Sequence, residues 1–385
     1  MKKISLATAL YLSTAALAFA DSNSLIVTQA SVGAGAPSLN FTQSGSGALA
    51  SVIQNGNDTL TGVQVGTGGT KLNVDQENPT AGAVNTIGYT GRGNSNVTID
   101  QRASNGVFTA SGSAGNTANV DMQGNGAAGG TANKLFLDQV GFNNNAIIND
   151  AFAGYAPSPT NFDNIQVAQY SDTAAAGNQF QNNTTGIGAG GSTTVVQKGG
   201  NKANFAFTAG GGQFVTLSQT NSADNIASAN VANLTFIGAD FQWTQTGTTN
   251  NVQGSLGGTS VNGGIKGFQN GNGNIANLTQ VSSYISTLGG DVVDQTGNNN
   301  TVVTKQTNTH ESTYLIQQQG NLNQAFATQT GTSDTATLQQ TGNSNNGQVT
   351  QSGTSNVAQL IQAGNSNIGS ITQSGTGASA IIHQN

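Results

Sequence analysis

The chain has 385 residues, a formal net charge of -6 and no cysteine. Only 7% of its residues are charged, against 54 glycines and 4 prolines, whereas ordinary globular domains carry roughly a quarter charged residues. This excludes a disulfide framework, argues against nucleic acid as a partner, and leaves Asn, Gln, Ser and Thr to keep the surface wetted.

Residues 1–20 read as a secretory signal peptide. Lys2 and Lys3 form the basic start, Ile4 to Leu17 is largely apolar, and Ala18-Phe19-Ala20 is a small-x-small cleavage site before Asp21. As a membrane anchor the run is short and is broken by Ser5, Thr8, Ser13 and Thr14. Nothing later is apolar over a bilayer's length, so the mature form is expected to be secreted without membrane insertion. Removing the leader leaves eight basic residues against sixteen acidic ones.

A short alternating pattern starts at once. Asn23-Leu25-Val27-Gln29 is a full unit, and Leu39-Phe41-Gln43, Ala48-Ala50-Val52-Gln54, Asp58-Leu60-Gly62-Gln64 and Thr70-Leu72-Val74-Gln76 follow. Residues 77–265 are less regular. Pro79, Pro157 and Pro159 mark loops, and glycine-rich insertions occur at Gly186 to Gly191 and Gly210 to Gly212. Units persist there, among them Ser95-Val97-Ile99-Gln101, Asn133-Leu135-Leu137-Gln139, Asn144-Ala146-Ile148-Asp150, Asp163-Ile165-Val167-Gln169, Gln213-Val215-Leu217-Gln219 and Ala239-Phe241-Trp243-Gln245. Asn274-Ala276-Leu278-Gln280 and Asn300-Val302-Thr304-Gln306 lead into residues 312–385, the most regular part.

There Gln318, Gln329, Gln340, Gln351, Gln362, Gln373 and Gln384 recur at a step of eleven. Gly320, Gly331, Gly342, Gly353, Gly364 and Gly375 stand two residues after the first six. Asn323, Asp334, Asn345, Asn356 and Asn367 stand five after, with Ala378 the exception. Between that residue and the next glutamine the inward set alternates, as in Asn356-Ala358-Leu360-Gln362. A period of two places such residues on one face of a strand, and a fixed short period marks a repeat architecture. The expectation is an all-β solenoid of strand-turn-strand rungs over residues 21–385, with loop insertions at the turns. Two units per coil predict about fifteen rungs in a rod of about 70 Å.

Each position has a physical reason. Stacked rungs put like over like, so glutamines and asparagines form amide ladders, and a ladder supplies the hydrogen bonds without which buried amides are costly. Ala or Gly lets facing strands approach, and Val, Leu and Ile supply apolar burial. The glycine suits a turn with positive φ.

The pattern resembles the curlin repeat family, the subunits of bacterial curli fibres, whose unit is Ser-x5-Gln-x-Gly-x-x-Asn-x-Ala-x3-Gln. Asn345, Gln351, Gly353, Asn356, Ala358 and Gln362 match it with Asn for the initial Ser. Asn323, Gln329, Gly331, Asp334, Ala336 and Gln340 match it with Asp for the central Asn. The resemblance implies a secreted functional-amyloid subunit of the biofilm matrix, acting in cell adhesion. It would bind its own copies and curli-type export and nucleation proteins, and have no cofactor. With only His383 as a basic group, the final unit fits a fibre-building role. Units at both ends imply open terminal rungs that template further strands. The alternative is a non-polymerising secreted adhesin or ice-binding rod, although no flat threonine ladder recurs at the repeat step.

Other chemistries have weaker support. Asp291 and Asp294 flank an apolar pair and could suggest a cation site, but a solvated turn is the plainer reading. His310 and His383 lack a nucleophile and an orienting carboxylate and are expected at turns or facing outward. Gly257-Gly258 and Gly263-Gly264 lack the strand-helix context of a phosphate loop. Trp243 and Phe241 could stack on sugars; a strand-face or protruding aromatic is simpler. No catalytic, cofactor-binding or metal residue is predicted.

Overall fold

A computed structural model describes residues 24–30, 37–46, 49–55, 58–67, 71–77, 84–89, 95–102, 115–120, 133–141, 143–148, 164–171, 177–182, 193–207, 214–221, 229–236, 240–257, 265–281 and 290–385. The expected leader, the loops of Pro79, Pro157 and Pro159, the glycine runs at 186–191, 210–212 and 263–264, and Asp150 lie outside the described residues.

The described residues form 29 strands and no helix. Successive strands alternate between two sheets, of 15 and 14 strands, and each strand pairs in parallel with the one two places along the chain. The larger, sheet I, runs from Ser24–Ala30 to Ser379–Gln384. The smaller, sheet II, runs from Ser38–Ser46 to Ile368–Thr376. The chain is a β-solenoid with one strand of each sheet per coil. At about 4.8 Å per step, fifteen strands make a rod of about 70 Å.

Alternation decides which face is buried. In Thr335–Thr341, Ala336, Leu338 and Gln340 are buried, while Thr335, Thr337, Gln339 and Thr341 are not. The inward residues of both sheets form one apolar cluster that extends from Phe41 to Ile371. Where one sheet offers glycine, the other fills the space. A Cβ on Gly369 would come within 2.7 Å of the Leu360 side chain, and one on Gly347 within 3.0 Å of Leu338.

Turns bring rungs into close contact. Gly342 has φ of 112°, and a Cβ there would lie 1.8 Å from the carbonyl oxygen of Gly364, so glycine is required on steric grounds as well as conformational ones. A second left-handed residue follows two places later and is not glycine: Leu322, Ser333, Ser344, Ser355 and Ser366 have φ of 55–59°.

The irregularity of residues 77–265 is concentrated in sheet II. Its strands Thr86–Tyr89, Thr117–Val120, Asn145–Ile148 and Gln179–Asn182 have four residues each. Farther along, Phe207, Phe236 and Leu256 occupy the column that Gln280 continues. Sheet I keeps one register throughout this region.

Candidate functional site

The candidate site is the set of ladders along the rod and the rung on which they end. The eleven-step glutamines divide between the sheets. Gln318, Gln340, Gln362 and Gln384 stack in sheet I; Gln329, Gln351 and Gln373 stack in sheet II. Vertical neighbours are thus 22 residues apart. Gln318 Nε2 donates to Gln340 Oε1 at 2.8 Å, Gln340 to Gln362 at 2.9 Å and Gln362 to Gln384 at 2.8 Å. In sheet II, Gln329 donates to Gln351 at 3.1 Å and Gln351 to Gln373 at 3.0 Å. The second N–H of each amide crosses to a backbone carbonyl of the facing sheet, as from Gln340 to Gln324 O at 2.7 Å. An unpaired buried amide costs about 1–3 kcal/mol, so this double use makes the buried column tolerable.

Sheet I extends this column over all fifteen of its strands, from Gln29 through Gln197, Gln269 and Gln295 to Gln384. Gln197, Gln269 and Gln295 escaped the sequence reading because their units begin on Gly191, Gly263 and Gly289, within or beside glycine runs that read as loops. Donation runs toward the C-terminus from Gln29 to Gln54 and from Gln245 to Gln269. It reverses locally where Gln219 donates back to Gln197 at 2.8 Å.

A second ladder enters sheet II. Asn323, Asn345 and Asn367 stack so that each backbone N–H donates to the side-chain oxygen of the Asn one coil earlier: Asn345 to Asn323 at 3.0 Å and Asn367 to Asn345 at 2.9 Å. The side-chain N–H groups close the turns, as from Asn323 to Gly342 O at 2.8 Å. The column begins much earlier, with Asn116 on Asn85, Asn144 on Asn116 and Asn178 on Asn144. Insertions hide Asn85, Asn116 and Asn178 by stretching the glutamine-to-asparagine spacing, while Asn144 keeps the regular interval after Gln139. The signal that finds them is Asn-x-apolar at a strand start, as in Asn116-Thr117-Ala118 and Asn201-Lys202-Ala203. Asn356 belongs to the opposite turn, above Asp334, whose Oδ1 accepts its N–H at 2.9 Å.

A third, exposed ladder was not anticipated. The N–H of Asn298 donates to Asn321 Oδ1, Asn321 to Asn343 and Asn343 to Asn365, at 2.9–3.0 Å. Its signal is the Gly-Asn pair on alternate turns.

Several expectations change. Asp291 is not in a solvated turn but fully buried in Asp291–Thr296. Its carboxyl accepts from Gln280 Nε2 at 2.5 Å, Gln306 Nε2 at 3.2 Å and the Tyr314 N–H at 2.8 Å. Burial pushes its pKa up to about 8. Asp294, an odd number of positions along the same strand, is half-buried on the outer side, so the two carboxyls form no shared cation site. Burial also raises Asp294 and takes Asp58 up to about 6. Trp243 and Phe241 are fully buried and stack on each other at 5.7 Å, so neither offers a surface to a sugar. His310 and His383 are exposed on strands. Threonines do stack, at twice the repeat step: Thr328, Thr350 and Thr372 lie in register on the outer face of sheet II, beside Thr332, Thr354 and Thr376.

The last rung is open. Its inward residues Ala380, Ile382 and Gln384 are half-buried, whereas Ala358, Leu360 and Gln362 one coil below are buried. Among the described residues no strand pairs with the outer edges of Ile368–Thr376 or Ser379–Gln384. No group of three metal-binding side chains and no helix able to cross a membrane occurs among the described residues. No family model matches the chain, and no curated protein matches it.

Proposed function

We propose that the chain is a secreted structural subunit that polymerises end to end into amyloid-like, curli-type surface fibres serving biofilm matrix and cell adhesion. The observation that carries this reading is the column of fifteen glutamines in sheet I, which reaches an open rung. A parallel strand laid on that rung would meet a ladder glutamine, an apolar side chain and backbone groups, as each strand of residues 335–385 in the same sheet does on the strand below it. An unpaired edge of this kind is a template, and joining unlike ends gives an open filament. In this reading the protein is a scaffold and not an enzyme. Its partners are its own copies, with curli-type export and nucleation proteins outside the fibre.

Electron microscopy of the purified chain over time, with amyloid-dye binding and fibre diffraction, tests the proposal. Filaments with a meridional spacing near 4.8 Å are expected. A chain that stays monomeric for days at tens of micromolar sinks the reading.

The threonine rows of sheet II favour a second reading, a non-polymerising rod that presents a hydroxyl face to ice. Thermal hysteresis from a monomeric sample distinguishes it.

A further inference from the structure

The two sheets hold unequal numbers of strands, 15 and 14 among the described residues. The first and last described strands, Ser24–Ala30 and Ser379–Gln384, therefore belong to the same sheet. Among the described residues every new strand alternates sheets and is laid on the strand two places before it. The next vacant position in the coil is then on the outer edge of Ile368–Thr376, in sheet II. A second copy in the same rotational setting would put its Ser24–Ala30 on Ser379–Gln384 and pass over that position. Sheet II would lack one strand at every joint, leaving the inward Ile371 and Gln373 without a strand above them.

Resting on the end-to-end reading above, we propose that successive copies in the fibre are related by a half-turn about the rod axis. The first strand of each copy continues sheet II of the copy before it, and its second strand continues sheet I. The glutamine register then places Gln29 of the incoming copy on Gln373 and Val27 on Ile371. One level higher, Gln43 comes over Gln384, Phe41 over Ile382 and Leu39 over Ala380. The two sheets are interchangeable in this respect because both present the same inward row of small residue, apolar residue and glutamine. Ala358-Leu360-Gln362 in sheet I corresponds to Gly347-Val349-Gln351 in sheet II.

Ladder direction fits the joint. Gln351 donates to Gln373 and Gln362 to Gln384, so each final glutamine accepts from below. One N–H of its amide donates to a facing backbone carbonyl, Val357 O at 3.0 Å and Ile368 O at 2.8 Å, and the second is left for the rung above. Gln29 gives its own N–H onward to Gln54 at 2.7 Å, so its carbonyl is the end presented to the copy beneath. Donor therefore meets acceptor where Gln373 faces Gln29 of the next copy, the C-terminal rung against the N-terminal one.

Absence of native cysteine allows a direct test by disulfide trapping in fibres of the full chain. Neighbouring strands about 4.8 Å apart lie within the ~4.4–6.8 Å Cα separation a disulfide needs. Thr28, Thr372 and His383 each precede a ladder glutamine and are exposed on the outer faces, so cysteine there disturbs no core contact. In the half-turn joint Thr28 of one copy lies beside Thr372 of the other; in the unrotated joint it lies beside His383. Fibres of the T28C/T372C variant are expected to give a ladder of covalent multimers on oxidation, while T28C/H383C fibres stay monomeric on a non-reducing gel. Fibres that crosslink through T28C/H383C, or through neither pair, overturn the half-turn and leave end-to-end assembly standing. Failure to form fibres at all overturns both.

Discussion

Asp291 reaches across the interior from sheet I and accepts a hydrogen bond from Gln280 of sheet II at 2.5 Å. It stands in an apolar column, next to Ile265 one rung away. Burial favours its neutral form, with a pKa near 8 against an ordinary value of 3.8. A carboxyl whose pKa is raised by folding binds its proton more tightly in the folded state. Its contribution to stability is therefore complete below about pH 4 and is lost progressively as pH rises toward 8. Asp58 acts in the same sense but only up to about pH 6. Urea midpoints should fall from pH 4 to 8 and then level off. In Asp291→Asn the fall between pH 6 and 8 should vanish while the fall below 6 persists. An unchanged profile in the variant would show that Asp291 does not titrate in the core.

Trp243 is accommodated by Gly267 one rung later: a Cβ on that glycine would come within 1.8 Å of the indole ring. Large over small replaces like over like at this level, which fixes the order of the rungs as well as filling the core. Gly267→Ala should cost about 1–3 kcal/mol through overpacking. Combining it with Trp243→Leu should recover part of that loss, a coupling that a double-mutant cycle measures. Additive effects would mean that the two residues do not compete for one space.

Strand, period and coil were legible because the inward residues repeat without a gap over residues 312–385, where spacing alone places Gln340 and Gln362 in one column. The middle of the chain was harder to read. Insertions lengthen the interval from Gln101 to Asn116, so the asparagine column looks broken in one dimension although its hydrogen bonds continue. Local pattern also carries no depth. Asp291 looked like a solvated turn because its polarity was weighed apart from the strand parity that turns it inward, and the unit Ala239-Phe241-Trp243-Gln245 did not say whether its aromatics fill the core or protrude. The threonine rows were missed because they recur once per coil, at 22 residues, whereas the search step was one strand.

Leu322 occupies the second left-handed position of its turn, with φ of 59°, and is 55% exposed. The serines at the equivalent turns bear the same backbone strain, and leucine has no local polar group to offset it. A left-handed conformation costs a non-glycine residue about 1–2 kcal/mol. Leu322→Gly should therefore raise stability by up to about 1 kcal/mol, since glycine also gives back some entropy to the unfolded chain. Thermal or urea unfolding checks this; a loss of stability would mean that the exposed leucine packs against something that covers the turn.

Gln340 and Gln339 are adjacent and chemically identical, yet strand parity separates their fates. Gln340 is buried, accepts from Gln318 and donates to both Gln362 and Gln324 O. Gln339 is half-buried on the outer face and donates to Gln317 at 2.7 Å. Gln340→Leu keeps the volume but strips an acceptor from Gln318, a donor from Gln362 and a donor from a backbone carbonyl. Two or more of those groups stay dry, so the cost should be about 2–4 kcal/mol. Gln339→Leu exposes every group it frees to water and should stay within about 0.5 kcal/mol of the parent. The same pair of variants separates the ladder from mere strand propensity in assembly, because leucine is acceptable in either strand position on propensity grounds. If fibre growth slows for Gln340→Leu alone, the amide column sustains elongation. If the two variants behave alike in both unfolding and growth, the interior amides contribute no more than surface ones.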